Sequence, residues 1–241
     1  MKIIMYDSVN IVIPVYNEGE NIIKTLADVE AKINTRYHIF IVYDFDEDNT
    51  LLAVRKYATG KNNVSVVKNK YGRGVLNAIK TGFVSVDDGV VLVTMADLSD
   101  DYTYVDGMFE KINEGYDIVC GSRYMKGGKQ IGGPRFKKLL SRLAGVSLHY
   151  LTGIPTHDIT NSFKMYTKKV LNDIEIESDG GFELGMEIVV KAFIKDYKIT
   201  EVPTVWRDRS VGRSRFQLWK WLPKYLKWYW YAIWNRLKER W

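Results

Sequence analysis

Short apolar runs that alternate with amphipathic stretches dominate the first half of the chain. The runs have the length and the valine and isoleucine content of buried strands, and they cover residues 10–15, 39–43, 64–67, 90–94 and 118–121. The stretches between them have the spacing of amphipathic helices and cover residues 20–33, 49–57, 74–86 and 102–113. Because parallel strands need helical crossovers, this alternation predicts an α/β fold with a mostly parallel sheet.

The pattern changes after residue 121. Glycines at 127–133 predict a loop, and the stretches 136–151 and 182–194 predict helices. A strand is predicted at 199–206, and an arginine-dense loop follows it at 207–215. Ligands of such sheets bind beyond the carboxyl ends of the strands, so we expect the functional residues there.

The size and composition fit one large globular domain. The chain has 241 residues, of which 46% are hydrophobic and 27% are charged. Its single cysteine, Cys120, excludes an internal disulfide and favours a reducing compartment. No signal peptide is expected, and the longest apolar run, 228–234, is far shorter than the roughly 20 residues of a spanning helix.

Acidic residues follow the second and the fourth predicted strands. Asp44 and Asp97 come directly after apolar runs, where a carboxylate can bind a nucleoside or hold a divalent cation against a diphosphate. Aspartate also caps helices, and we favour that role for Asp48 and Asp101. The net charge of +6 favours an anionic partner, but acidic clusters at strand ends disfavour nucleic acid.

Six motifs occur in order along the chain. They are residues 14–18 (PVYNE), 44–50, Gly72-Arg73-Gly74, 96–99 (ADLS), Gly121-Ser122-Arg123-Tyr124 and 208–215. Together they resemble glycosyltransferase family 2, and within it the dolichyl-phosphate mannose synthase-like branch, over residues 9–216. The resemblance implies a GT-A fold, in which a Rossmann-like, mixed and mostly parallel sheet is flanked by helices.

The resemblance also assigns roles to individual residues. The donor-binding residues would be Pro14, Tyr16, Glu18, Val42, Asp44, Ala96 and Asp97. The catalytic residues would be Asp97, Arg123, Arg209 and Arg215. Arg123 would face the phosphates, and Arg209 and Arg215 would close over donor and acceptor as a flexible loop. A divalent metal, Mg²⁺ or Mn²⁺, would be held by Asp97 with help from Ser99 and Asp100.

Three positions depart from the family pattern. The family usually has a carboxylate two residues before Asp97, where this chain has Met95. It often has a glutamine where this chain has Ser99, and another aspartate where this chain has Tyr43. Methionine sulfur is a poor ligand for Mg²⁺ or Mn²⁺, so we expect weaker metal binding. The donor stays open between GDP-mannose and a UDP-sugar, and Met95 leaves a non-catalytic nucleotide-sugar-binding protein as an alternative.

The acceptor decides whether the reaction needs a base. A glycan hydroxyl would need one, for which Asp158 or Glu183 are candidates. A polyprenyl phosphate is already anionic and needs cations instead. The resemblance places an acceptor-phosphate cation at Lys137, before Ser141 and near Arg135, although these cations also fit a solvated helix face.

The last residues are rich in aromatic and basic side chains. Residues 219–241 hold six tryptophans and six lysines or arginines against one acid, Glu239. This mixture is typical of the bilayer interface, although a terminal helix packed on the domain or on a second subunit is an alternative.

We predict a GT-A catalytic domain at 1–216 and an interfacial helix at 217–241. The protein would be an inverting glycosyltransferase that moves a sugar from a nucleotide to a polyprenyl phosphate on the cytoplasmic face of a membrane.

Overall fold

A mixed seven-stranded sheet forms the centre of the molecule. The computed structural model describes residues 5–208 and 218–238. Its strands are β1 (Ser8–Val15), β2 (Arg36–Tyr43), β3 (Val64–Lys68), β4 (Val90–Val93), β5 (Ile118–Ser122), β6 (Lys129–Ile131), β7 (Lys164–Thr167), β8 (Ile199–Pro203) and β9 (Val205–Arg207). The large sheet has the order β3-β2-β1-β4-β7-β5-β8, and β6 and β9 form a separate parallel pair. Only β7 runs antiparallel within the large sheet, so the predicted mostly parallel α/β sheet is confirmed.

Helices cover both faces of this sheet. They are α1 (Asn21–Lys32), α2 (Thr50–Ala58), α3 (Val75–Ser85), α4 (Val105–Asn113), α5 (Arg135–Thr152), α6 (Lys168–Asp173), α7 (Leu184–Ile194) and α8 (Leu218–Lys238). Successive residues of β1 point to opposite faces, because Ile11 and Ile13 pack with α1, α2 and α4, whereas Val12 packs with α3, α7 and α8. The result is a three-layer α/β/α domain.

Two short strands differ from the sequence prediction. β7 lies between β4 and β5, and its first residue, Lys164, is fully buried while its ammonium donates to the carbonyls of Ile159 and Asn161. A buried lysine gives no apolar signal, and so no strand was expected there. The loop prediction for 127–133 is wrong at β6, which pairs with β9 at the end of the predicted strand 199–206.

The C-terminal helix α8 has one buried face and one exposed face. Trp228 is 1% exposed, and its indole Nε1 donates to Ser178 Oγ at 3.0 Å. The opposite face leaves Trp219, Trp230 and Trp234 exposed to solvent. Part of this helix therefore belongs to the hydrophobic core of the domain. Over 5–208 and 218–238, no helix combines the length and the hydropathy needed to cross a membrane.

Candidate active site

The strand order opens a crevice at the carboxyl ends of β1 and β4. After β1 the chain crosses to β2, whereas after β4 it crosses in the opposite direction to β5. This reversal is where ligands bind in open α/β sheets. Three predicted site residues lie at this edge: Tyr16 after β1, Asp44 after β2 and Asp97 after β4.

The loop after β1 is held by the loop after β2. Three successive amides, those of Asn17, Glu18 and Gly19, donate to Asp48 Oδ2 at 3.0 Å, Thr50 Oγ1 at 2.9 Å and Asn49 Oδ1 at 2.8 Å, respectively. Asn17 adopts a left-handed conformation with φ 53°, which these bonds keep in place. Asp48 Oδ1 also accepts the amide of Thr50, the first residue of α2, at 2.9 Å. The crevice wall beside Tyr16 is therefore fixed before any ligand arrives.

Asp44 fixes the turn that precedes α3. Its Oδ1 accepts from Asn69 Nδ2 at 2.8 Å, and its Oδ2 accepts the amide of Gly74 at 2.9 Å. Gly74 has φ 120°, a conformation that side-chain-bearing residues avoid. Each oxygen retains a lone pair, so a contact between Asp44 and a ribose stays a prediction.

An aromatic and cationic stack lies at the rim of the crevice. The rings of Tyr16 and Phe45 meet edge to face with centroids 5.4 Å apart, and the guanidinium of Arg73 lies 5.0 Å from the Phe45 centroid. Phe45 and Arg73 are inside two of the motifs but were not predicted as site residues. Planar groups at a crevice rim can stack against a nucleobase.

The turn after β4 carries Asp97 and is strained. Leu98 has φ 58°, a left-handed conformation. Its two neighbours are joined by a hydrogen bond, in which the amide of Ser99 donates to Asp97 Oδ1 at 3.1 Å. The carbonyl of Ser99 accepts the amide of Arg207 at 2.9 Å, which joins this turn to β9. Asp101 accepts the amide of Thr103 at 3.2 Å and so caps the 3₁₀ turn that follows, as predicted. Strained residues of this kind cluster at functional sites.

The predicted metal ligands differ in how they are placed. Asp97 is half-buried at the crevice, whereas Ser99 and Asp100 are buried, and Asp100 Oδ2 accepts from Thr94 Oγ1 at 2.9 Å. Burial and the neighbouring Asp97 charge raise the pKa of Asp100 to about 7. Met95 packs against the apolar cluster on the α3 side of the sheet. No cluster of three metal-ligating side chains occurs within the described ranges. Whether these residues fit a divalent metal therefore depends on Asp97.

Arg123 is engaged inside the protein. Its Nε donates to Asp158 Oδ2 at 2.6 Å, and its Nη2 donates to Asp158 Oδ1 at 2.8 Å and to Ser141 Oγ at 2.9 Å. The Arg123 side chain is 10% exposed and that of Asp158 is fully buried. Burial alone would lower the pKa of Arg123, but the Asp158 carboxylate more than offsets it and raises that pKa. A contact between Arg123 and phosphates stays a prediction.

Both acids considered as general bases are buried and bonded. Asp158 holds Arg123 by two bonds and also accepts the amide of that residue at 3.0 Å. Glu183 is 1% exposed, and its two oxygens accept the amides of Gly180 and Gly181, each at 2.8 Å. Both carboxylates are therefore shielded from solvent and hold the fold in place.

The predicted acceptor residues lie at the start of α5. Ser141 accepts from Arg123 and from the hydroxyl of Tyr124, which lies 2.9 Å away. Lys137 is half-buried about one turn before Ser141, and Arg135 is exposed at the first position of the helix. The first turn of α5 contains no acidic residue and its N-cap makes no side-chain hydrogen bond, so this helix end is suited to an anion.

The remaining predicted site residues differ in how much of their side chains is exposed to solvent. Pro14 and Glu18 are half-buried at the crevice, whereas the side chains of Val42 and Ala96 are buried and leave only their main-chain groups for a donor. Arg209 and Arg215 lie outside the described residues.

The mixed sheet and its crevice define a GT-A fold, the α/β class that serves nucleotide-sugar transferases. A solved structure of a glucosyl-3-phosphoglycerate synthase from Mycobacterium tuberculosis with Mn²⁺, UDP-glucose and phosphoglyceric acid shares it with a TM-score of 0.69. At 14% identity over 94% of this chain and 80% of that chain, the likeness concerns the fold alone.

The chain belongs to glycosyl transferase family 2, whose profile matches residues 10–175. It is 30% identical to a dolichol-phosphate mannosyltransferase of Pyrococcus furiosus over 87% of this chain and 59% of that protein. It is 29% identical to a dolichyl-phosphate hexose transferase of Haloferax volcanii over 85% of both chains. A polyprenol monophosphomannose synthase of Mycolicibacterium smegmatis is 28% identical over 85% of this chain and 79% of that protein.

Proposed function

We propose that this chain transfers a sugar from GDP-mannose or a UDP-sugar to a polyprenyl or dolichyl phosphate, with inversion at the anomeric carbon. The names of three relatives, each a transferase to a dolichyl or polyprenyl phosphate, support this assignment. An oxygen of the acceptor phosphate attacks the anomeric carbon while the bond from that carbon to the donor diphosphate breaks. The nucleoside diphosphate leaves with the electron pair of that bond.

The burial of both acids considered as general bases is the observation that favours a phosphate acceptor. A hydroxyl nucleophile has to lose its proton to a positioned base, but Asp158 and Glu183 are both buried and hydrogen-bonded. A phosphate monoester is anionic near neutral pH and needs no base. The two acids that the sequence offers for hydroxyl chemistry therefore fit a structural role.

Cations are needed because two anionic groups must approach each other. The start of α5 combines the positive end of a helix with Arg135 and Lys137, and we assign the acceptor phosphate to this place, with Ser141 beside it. Arg123 would then act by holding Ser141 and the 158–160 turn in position.

Asp97 is the residue to which we assign Mg²⁺ or Mn²⁺. Its carboxylate, with water and diphosphate oxygens, makes the hard ligand set that these ions prefer. The bound ion would offset the negative charge that develops on the leaving diphosphate. Ser99 and Asp100, being buried, would contribute through the turn that orients Asp97.

A membrane surface is the proposed place of the reaction. One stripe of α8 exposes large apolar side chains, namely Trp219, Leu226, Trp230, Trp234 and Leu237. Exposed lysines flank this stripe, namely Lys220, Lys227 and Lys238. Tryptophan beside lysine is typical of peripheral helices at the bilayer interface, and the anionic cytoplasmic leaflet suits the basic flank.

A comparison of two acceptors of equal chain length tests the proposal. The full chain with Mn²⁺ would be screened against nucleotide sugars by thermal shift, and the stabilising donor would then be offered a short polyprenyl phosphate or the matching polyprenol. We expect transfer to the phosphate only, because the alcohol would need a base. Equal transfer to both acceptors, or transfer to neither, would contradict the proposal.

A further inference from the structure

A fully buried lysine is hydrogen-bonded to the turn at 158–161. Lys164 is 0% exposed, and its ammonium donates to the carbonyls of Ile159 and Asn161. Burial lowers the pKa of Lys164, because it disfavours the charged form of the amine. A methionine would fill a similar space without that cost, and apolar replacements of buried charges are often neutral for stability. The ammonium at this position therefore needs an explanation other than core packing.

The side chain of Thr160 extends from this turn to the first half of α5. Its Oγ1 lies 2.7 Å from Ser141 Oγ and accepts from Arg123 Nη2 at 3.2 Å. The two residues that flank Thr160 are those whose carbonyls accept from the buried ammonium. Because the main chain is fixed on both sides of Thr160, its hydroxyl has a defined position relative to Ser141.

Two further contacts hold this turn between β5 and α5. Asn161 Nδ2 donates to the carbonyl of Gly121 at 2.8 Å, which ties the turn to β5. On the other side, a side chain at Gly145 of α5 would overlap the carbonyl oxygen of His157, so the helix lies directly against the chain that enters the turn. Lys164 adds a contact from β7. In a close-packed interior, a shift of the turn would displace the helix against which it packs.

We propose that Lys164 is a positioning residue of the acceptor site. Its ammonium holds the main chain on both sides of Thr160, and Thr160 in turn fixes Ser141 beside the acceptor phosphate. This role rests on the proposed function, because that function assigns the acceptor phosphate to this place. Lys164 is fully buried and touches neither substrate, so it acts on the affinity for the acceptor and not on the bond that breaks.

A second buried lysine, at the other end of β7, provides a matched control. Because β7 runs antiparallel to β4, Lys164 lies opposite Val93 at the crevice edge, whereas Lys168 lies beyond Val90 at the far edge. Lys168 is 7% exposed, its ammonium donates to the carbonyl of Phe83, and burial lowers its pKa as well. The two lysines therefore share burial and the type of partner, and they differ in their distance from the acceptor site.

Hydrogen–deuterium exchange of the ligand-free protein tests whether Lys164 holds the turn. Lys164→Met should speed the exchange of the amides of residues 158–163 by about tenfold or more, because the turn loses both hydrogen bonds to the ammonium. Lys168→Met should leave these amides unchanged. An unchanged exchange rate in Lys164→Met would overturn the proposal. This measurement needs no substrate, so its outcome does not depend on the proposed function.

Kinetics with a short polyprenyl phosphate test the effect on the acceptor. Lys164→Met should raise the KM for this acceptor by about tenfold, because Ser141 loses its fixed position. The kcat, and the dissociation constant of the nucleotide-sugar donor measured by calorimetry, should stay within about twofold of the wild-type values. Lys168→Met should change none of the three quantities. Equal losses of donor and acceptor affinity in Lys164→Met would show a general structural role and overturn the proposal.

Thr160→Val tests the second contact and keeps the proposal testable even if Lys164→Met does not fold. This change removes the hydroxyl and nearly preserves the volume, so it should raise the acceptor KM by a similar factor. The double variant should be no worse than Lys164→Met, because both changes interrupt the same chain of contacts. An unchanged KM in Thr160→Val, or effects that multiply in the double variant, would overturn the proposal. A wild-type protein that transfers sugar to no polyprenyl phosphate would refute the proposed function, and the exchange rates would still decide whether Lys164 holds the turn.

Discussion

Arg123 shows what the sequence can and cannot predict about a single residue. The motif Gly121-Ser122-Arg123-Tyr124 predicts an arginine at a strand end, and the structure places it after β5. Its partner, Asp158, is 35 positions away in a stretch with no regular pattern. Whether an arginine at a strand end points to a ligand or to a buried acid depends on that tertiary contact, which local sequence does not encode.

The buried pair predicts a loss of stability when Arg123 is changed. Arg123→Gln should lower the free energy of unfolding by about 3–5 kcal/mol, because it leaves the Asp158 carboxylate buried and without its countercharge. Urea unfolding would measure the change, and Lys61→Gln, which breaks the exposed pair with Glu30, should lower stability far less. A fall in turnover with a stability loss as small as that control would instead identify Arg123 as a phosphate ligand.

At Asp97 we expect a substitution to lower turnover with little loss of stability, the opposite of the result expected at Arg123. Asp97→Asn should lower turnover by about 10²-fold or more at saturating donor, because the proposed metal would lose its carboxylate. The unfolding midpoint should change little, since Asp97 is at the crevice and not in the core. Asp88→Asn, at the amino-terminal end of β4, is the matched control and should leave both quantities unchanged. Full activity of Asp97→Asn would refute the assignment.

At the scale of elements, the alternation of apolar runs predicted β1 to β5 and the helices between them. The apolar signal is strongest at β4 and β5, because every residue of these two strands is buried. It failed for β7, whose four residues include the buried Lys164. It also could not divide α8 into faces, because tryptophan and tyrosine occur on both sides of that helix.

We expect the buried face of α8 to stabilise the domain and its exposed face to bind vesicles, and changes at two tryptophans distinguish these roles. Trp228→Ala should lower the free energy of unfolding by about 3–5 kcal/mol, because it empties a core position and leaves Ser178 without its indole partner. Trp230→Ala, which is 62% exposed in the wild type, should leave stability within about 0.5 kcal/mol and weaken binding to anionic vesicles. Urea unfolding and vesicle sedimentation of both variants would measure this. Equal effects of the two changes on stability would contradict the assignment of faces.

At the scale of the whole molecule, helices α5 and α8 together carry nine lysine or arginine residues and no acidic residue. Changing Lys220, Lys227 and Lys238 to glutamine should weaken binding to anionic vesicles by about 1 kcal/mol for each lysine at low salt. The control changes Lys24, Arg55 and Lys56 to glutamine, three exposed cations of α1 and α2 on the other face. High salt should remove the difference between the two triple variants. If both triple variants weakened vesicle binding equally, binding would depend on the net charge of the protein and not on the position of the lysines.

Three backbone amides of the loop after β1 are already engaged by residues 48–50. In dinucleotide-binding folds, a glycine-rich first turn offers free amides and a helix N-terminus to the pyrophosphate. Here the amides of residues 17–19 are saturated, and Glu18 and Glu20 place negative charge just before α1. The first turn therefore cannot serve as an anion nest, and a diphosphate in the crevice has to be neutralised by cations. We therefore expect this Rossmann-like sheet to bind an anion through the proposed metal and basic side chains in place of an amide-based anion site.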